Sequence, residues 1–241
     1  MVRLYRKEGC GDKCIAMTDN CLYDREEVKK MVEKALAFAK TLQANDATGH
    51  DYFHVLRVVN LARQIASGEP GADMELVGLI AALHDVDDRK LSPETYENLS
   101  NARAFLSDKG VSEDRIELIL SGIRQISFKG TDSVAPDSLE AQCVQDADRL
   151  DAIGAIGIGR AFAFGGSRGR LMYDPDQKPQ LHMDGETYAK TQGPTINHFY
   201  EKLLLLKDMM NTQTGKAMAA HRHGFMEAFL EEFYGEWDGR L

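Results

Sequence analysis

From residue 24 to the C-terminus, apolar residues recur at three- and four-residue spacing, and no run of alternating strand residues bounded by hairpin turns interrupts them. That periodicity predicts an all-α chain. Asp24 followed by Glu27 looks like a capping box, and Val28, Met31, Val32, Ala35, Leu36, Ala39 and Leu42 then share one helical face. A second helix is expected from Asp51, burying Val55, Val58, Val59, Ala62 and Ile65 before Gly68; a third runs from Asp73 through Leu76, Leu79, Ile80 and Leu83. Ser92-Pro93 supplies a cap and a first-turn proline for a helix ending at Gly110, and Ser112 opens another bearing Ile116, Ile119, Leu120 and Ile123. Further helices are predicted over 139–163, 195–210 and 215–234. Residues 165–194 hold three of the six prolines and read as a long loop.

Residues 23–241 read as one compact helical domain, because 241 residues with 43% hydrophobic content can bury one large core and no linker divides the chain. Residues 1–22 read as an N-terminal extension. They carry Arg3, Arg6, Lys7, Glu8, Asp12 and Lys13 without an apolar segment, unlike a signal peptide. No apolar stretch approaches the roughly 20 residues that span a bilayer. A cytoplasmic protein without a membrane partner is expected. The net charge of −9 argues against a duplex nucleic-acid partner, which needs a basic face. An acidic chain can still act on a phosphorylated small molecule through a metal ion and a few local cations. Cys10, Cys14 and Cys21 have spacing that matches no common zinc pattern, and free thiols are the simpler reading.

Three segments combine metal-ligand chemistry with helix placement. In Gly49 to Val58, Asp51 as a cap puts His54 in the first turn and Arg57 one turn further on the same side. In Ala81 to Asp88, the adjacent pair His84-Asp85 follows an apolar helix face. In Gln145 to Ala152, three acids fall inside an otherwise apolar stretch. Each has a plain alternative: an interior histidine, a helix cap, a surface ion network. Together they offer imidazoles and carboxylates in the mix that suits Mn²⁺, Fe²⁺, Co²⁺ or Zn²⁺.

The order His54, His84-Asp85, Asp148 resembles the H…HD…D pattern of the HD-domain metal-dependent phosphohydrolases. The phrases His54 to Val58, Ala82 to Val86 and Asp146 to Ala152 are similar to that family's ligand helices. Ile126 to Lys129, Gly154 to Arg160 and His198 to Leu204 resemble its small stand-alone bacterial branch acting on nucleotides. The likeness covers about residues 25–240. It implies His54, His84, Asp85 and Asp148 around one divalent ion, Mn²⁺ first, with Fe²⁺, Co²⁺, Ni²⁺, Mg²⁺ or Zn²⁺ as alternatives. It also implies hydrolysis of nucleoside or deoxynucleoside triphosphates to monophosphate and pyrophosphate by a metal-activated water. Asp88 is the expected proton-transfer group, on the ligand side if the helix continues past Asp85. Arg57, Lys129 and Arg168 are expected to hold substrate phosphates. Other readings are a phosphomonoesterase or phosphodiesterase and a nucleotide sensor with weak turnover; no downstream Gly-Tyr-Pro marks the HD-GYP diesterase type.

Several signals are read as ordinary. The Gly154, Gly157, Gly159 series lacks the dinucleotide order and is read as close helix packing. His221 and His223 are read as surface groups, His50 as a group supporting the ligands, and Phe225, Met226, Phe229, Leu230 and Phe233 as core.

Overall fold

The structure, a computed structural model, describes residues 20–43, 51–89 and 91–241. Ten α-helices are found among them: α1 (Asn20–Gln43), α2 (Tyr52–Ser67), α3 (Met74–Leu83), α4 (Ser100–Asp108), α5 (Glu113–Arg124), α6 (Leu139–Asp151), α7 (Gly154–Ser167), α8 (Gly185–Lys190), α9 (Thr195–Glu201) and α10 (Gln213–Trp237). A 3₁₀ segment, Leu203–Met209, follows α9. The described residues contain no strand, only one isolated bridge between Gly130 and Asp184. The fold is all-α.

Helix α3 is the centre, packed by α1, α2, α5 and α6. Its seven residues Val77 to Leu83 are all buried, which a helix tolerates only when neighbours cover every face. Asp73 caps it by accepting from the backbone N–H of Glu75 and Leu76. Helix α2 turns the stripe Val55, Val58, Val59, Ala62 and Ile65 inward, and α5 does the same with Ile116, Ile119, Leu120 and Ile123. Each such aliphatic side chain contributes about 1.5–3 kcal/mol on burial. Helix α10 closes the other side against α6, α7 and the 3₁₀ segment, and Thr212 caps it at Gly215.

Four boundaries differ from the sequence expectations. Helix α1 begins at Asn20, so Asp24 lies one turn inside it. Ser92-Pro93 opens a series of turns, and α4 starts only at Ser100, after Leu99 in the left-handed conformation (φ 52°). The buried Asp87 carboxylate caps α4 instead, accepting from the N–H groups of Asn101 (3.0 Å) and Ala102 (2.9 Å). The helix expected over 139–163 is two helices, broken at Gly154 with φ +76°. In the expected loop, residues 165–167 finish α7 and residues 185–190 form α8. The rest is stitched to α9, whose Thr195 and Ile196 N–H groups donate to the carbonyls of Leu171 and Met172.

Close packing accounts for Gly154 and Gly157, where a side chain would collide with Arg222 and with the Ala152 carbonyl, but not for Gly159, which has open space beside it. Phe225 departs from the expected core stripe: it is exposed, while Met226 and Leu230 are buried and Phe229 and Phe233 pack against the core. His221 is exposed as expected; His223 is partly buried and lies 3.2 Å from Glu227. His50, Cys10 and Cys14 lie outside the described residues, as does most of the expected 1–22 extension.

Candidate metal centre

The Asp51 cap decides where His54 points. Its carboxylate accepts from the His54 N–H at 2.8 Å and fixes the first turn of α2, so the imidazole faces inward and is fully buried. His84 and Asp85 follow the last residue of α3, in a turn closed by the Val86 N–H donating to Leu83 O. Asp148 lies in the last turn of α6. Three packed elements therefore supply four side chains to one place.

The donor atoms meet there. His54 Nε2 is 3.4 Å from Asp85 Oδ2 and 3.4 Å from Asp148 Oδ1. His84 Nε2 is 3.3 Å from Asp85 Oδ2 and 4.0 Å from Asp148 Oδ1. The donors of His54, His84 and Asp85 all lie within 4.8 Å of one another. Bonds of about 2.0–2.2 Å to a common ion put neighbouring donors about 3–3.5 Å apart. Both imidazoles are oriented by their other nitrogen: His54 Nδ1 donates to Asp151 Oδ2 at 2.7 Å, and His84 Nδ1 to the Ala81 carbonyl at 2.8 Å. Each ring then presents Nε2, the arrangement that metal-binding histidines use. His84 Nε2 is buried 3.3 Å from Asp85 Oδ2 without good hydrogen-bond geometry to it, a state that a cation between them would relieve. The residues fit a divalent ion of borderline hardness. Asp148, with a side chain 27% exposed against 0–11% for the other three, marks the side open to solvent.

The electrostatics agree. Burial opposes the charge on His84, yet the carboxylates of Asp85 and Asp148 outweigh it and hold the imidazole up at about 9. His54 is likewise raised against its burial, by Asp151 and Asp85. Asp151, although buried, is held well below the usual carboxylate range by hydrogen bonds from His54 and Arg57 and by the Arg160 charge.

The other expected site residues lie outside the four-residue cluster. Arg57 is committed to Asp151, donating from Nε to Oδ1 at 2.6 Å and from Nη2 to Oδ2 at 3.0 Å, a different task from the phosphate contact expected of it. Lys129 is exposed, with its backbone N–H on Ser133 Oγ, and Arg168 caps the end of α7 with its guanidinium 5.5 Å from the Phe164 ring centre. Neither is brought into the four-residue cluster. The helical projection behind Asp88 fails, because α3 stops at Leu83 and the chain turns, Asp88 N–H bonding to Asp85 O.

Sequence reasoning missed Asp151 and Arg160. Arg160 Nη1 donates to Asp151 Oδ2 at 2.7 Å, from α7 to the end of α6. The spacing Asp148-x-x-Asp151 puts both acids on one helix face and was the available signal. The remaining thiol, Cys143, is buried and pushed up to about 12, chiefly by that burial, so it offers no nucleophile.

An all-α domain with a buried His/Asp cluster at the junction of three helices defines a class, and comparison with known proteins specifies it. The HD domain family matches residues 51–153. The YpgQ protein of Bacillus subtilis is 37% identical over 205 residues, covering 84% of this chain and 92% of its own. A Lactobacillus plantarum structure is 41% identical with a TM-score of 0.77, covering 87% of this chain and 98% of its own. An HD-superfamily hydrolase from Bacillus thuringiensis is 39% identical with a TM-score of 0.68, covering 88% and 98%. B. subtilis YpgQ in complex with ADP is 33% identical with a TM-score of 0.68, covering 85% and 97%. This chain belongs to the HD-domain hydrolases. No described helix is long and apolar enough to cross a membrane.

Proposed function

We propose that the protein is a metal-dependent phosphohydrolase that cleaves nucleoside or deoxynucleoside triphosphates to the monophosphate and pyrophosphate. The observation that carries this reading is the convergence of His54, His84, Asp85 and Asp148 within 3.3–4.0 Å contacts, with both histidines oriented through Nδ1. The ADP complex of the 33% identical YpgQ supports a nucleotide ligand. A divalent cation, Mn²⁺ in our reading, acidifies water and polarises a phosphoryl oxygen when bound.

The chain's own contribution is positioning. Asp151 holds His54 in the tautomer that presents Nε2, and Arg57 and Arg160 hold Asp151. Buried walls around His54, His84 and Asp85 exclude bulk water and leave the Asp148 side for substrate. Asp88, half-buried beside the ligand turn, is our proton-transfer group, and Lys129 and Arg168 meet substrate phosphates as they approach. Arg57 adds positive charge at the entrance while it braces Asp151. The cytoplasm is the compartment where such a substrate is found.

Purified protein supplied with Mn²⁺ is expected to release pyrophosphate from a nucleotide panel. Asp85→Ala should lower kcat/KM by about 10³, the equivalent of the several kcal/mol that metal catalysis supplies. Undiminished release by variants lacking His84 and Asp85 would overturn the assignment. Tight nucleotide binding without product would support the sensor instead.

A further inference from the structure

Two cations that the metal centre does not use act on one imidazole. His198 lies in α9, Lys202 one residue beyond that helix, and Arg170 just after α7. Lys202 Nζ is 4.7 Å from the centre of the Phe128 ring and 5.6 Å from that of Tyr188. Those two rings meet edge to face at 5.2 Å, and Tyr188 stacks on His198 at 6.1 Å and 25°. Arg170 is pinned at the end of α8, where its Nη2 donates to the Thr191 carbonyl at 2.7 Å, and it lies over the Phe164 ring.

Among the described residues, neither Lys202 nor Arg170 has a carboxylate within 4.0 Å. In a chain with 38 acidic and 29 basic residues, the easy solution would have been an acid between them. Aromatic faces attract a cation by about 0.5–2 kcal/mol each but do not neutralise it. Burial, then the charges of Lys202 and Arg170, push His198 down to about 3, so it stays neutral, with one ring N–H donor and one acceptor nitrogen. Phe164 lies four residues, about 6 Å of helix rise, beyond Arg160, which braces Asp151. The cation pair and the metal centre thus share α7 as a common support.

We propose that Arg170, His198 and Lys202 form an anion-binding site for a phosphate group, with Phe128 and Tyr188 as its aromatic wall. Free pyrophosphate and the phosphates of a nucleotide share the chemistry the site recognises. Only the choice of a phosphate ligand rests on the hydrolase reading; the unneutralised cations do not.

The test is calorimetric titration of the full chain with inorganic pyrophosphate and, separately, with ADP, both with excess chelator. Excess chelator removes any contact made through a bound cation, and the Gln variants separate the proposed site from other positive groups. Wild type should bind pyrophosphate. Lys202→Gln and Arg170→Gln should each weaken it about tenfold, the size of one charge-assisted contact, while Lys202→Arg and the distant Lys30→Gln bind normally. A matching loss for ADP identifies the nucleotide's own phosphates as ligand, and a loss for pyrophosphate alone identifies the free anion. Absence of binding to wild type, or undiminished binding in both Gln variants with native circular dichroism, would overturn the proposal. Neither readout depends on turnover, so failure of the hydrolase reading, seen as absent Mn²⁺-dependent product, is separate.

Discussion

Asp151 accepts from His54 Nδ1, from Arg57 Nε and Nη2, and from Arg160 Nη1, so one buried carboxylate sets the orientation of a proposed ligand and ties down two guanidinium groups. Asp151→Asn keeps the shape but turns an NH₂ group toward donors and removes the charge. It is expected to lower Mn²⁺ affinity by about 10–100-fold and stability by about 3–5 kcal/mol, read by metal titration and urea unfolding. Unchanged values in both would refute the bracing role. Protons compete with the cation at the same nitrogens. His84, held up at about 9, is protonated at neutral pH while no cation is bound, and His54 is raised as well, by Asp151 and Asp85. A raised pKa means the proton leaves only as pH climbs through that value, so metal affinity should rise from pH 6 to about 9. Uptake at pH 7 should release protons, measurable by calorimetry in buffers of unlike ionisation enthalpy. The ligand types were legible because two histidines and clustered acids stood out on helix faces. Asp151 was not, since its meaning lies in a partner 97 residues away.

Helices whose inward stripe is continuous, such as α2, α3 and α5, were legible almost to the residue, because Asp51, Asp73 and Ser112 mark their starts. Misreadings arose where tertiary contacts override local signals. Ser92-Pro93 is a good local start, yet the Asp87 cap sits at the first turn of α4 and fixes that helix eight residues later. Gly154 and Gly157 do pack closely, Gly159 does not, and Gly154 is also a break. An unbroken helix would separate Asp151 and Arg160 by about 13 Å along its axis, whereas the bend at Gly154 brings them into a 2.7 Å hydrogen bond. Gly154→Ala should cost about 1–2 kcal/mol from the left-handed φ alone, plus displacement of Arg222, whose Cβ would lie 3.1 Å from the new methyl group. Thermal unfolding together with Mn²⁺ titration checks this. An unaltered variant would mean that the bend does not hold the brace together.

The described residues form an all-α fold with α3 packed among α1, α2, α5 and α6, and the periodic sequence made that class plain from the outset. What periodicity could not convey was the path by which 30 residues of proline- and glycine-bearing chain return to α9 and pin Arg170 at the end of α8. Nor could it convey that the ligand segments, scattered from residue 54 to 148, would come from three mutually packed elements. Folding assembles the centre, so the account stands or falls on whether one cation binds all four side chains at once. Crystals grown with Mn²⁺ and measured at an anomalous wavelength should show a single strong peak at bonding distance from His54 Nε2, His84 Nε2, Asp85 and Asp148. A structure lacking such a peak, or with manganese bound while Asp148 or either histidine stays out of reach, would contradict it.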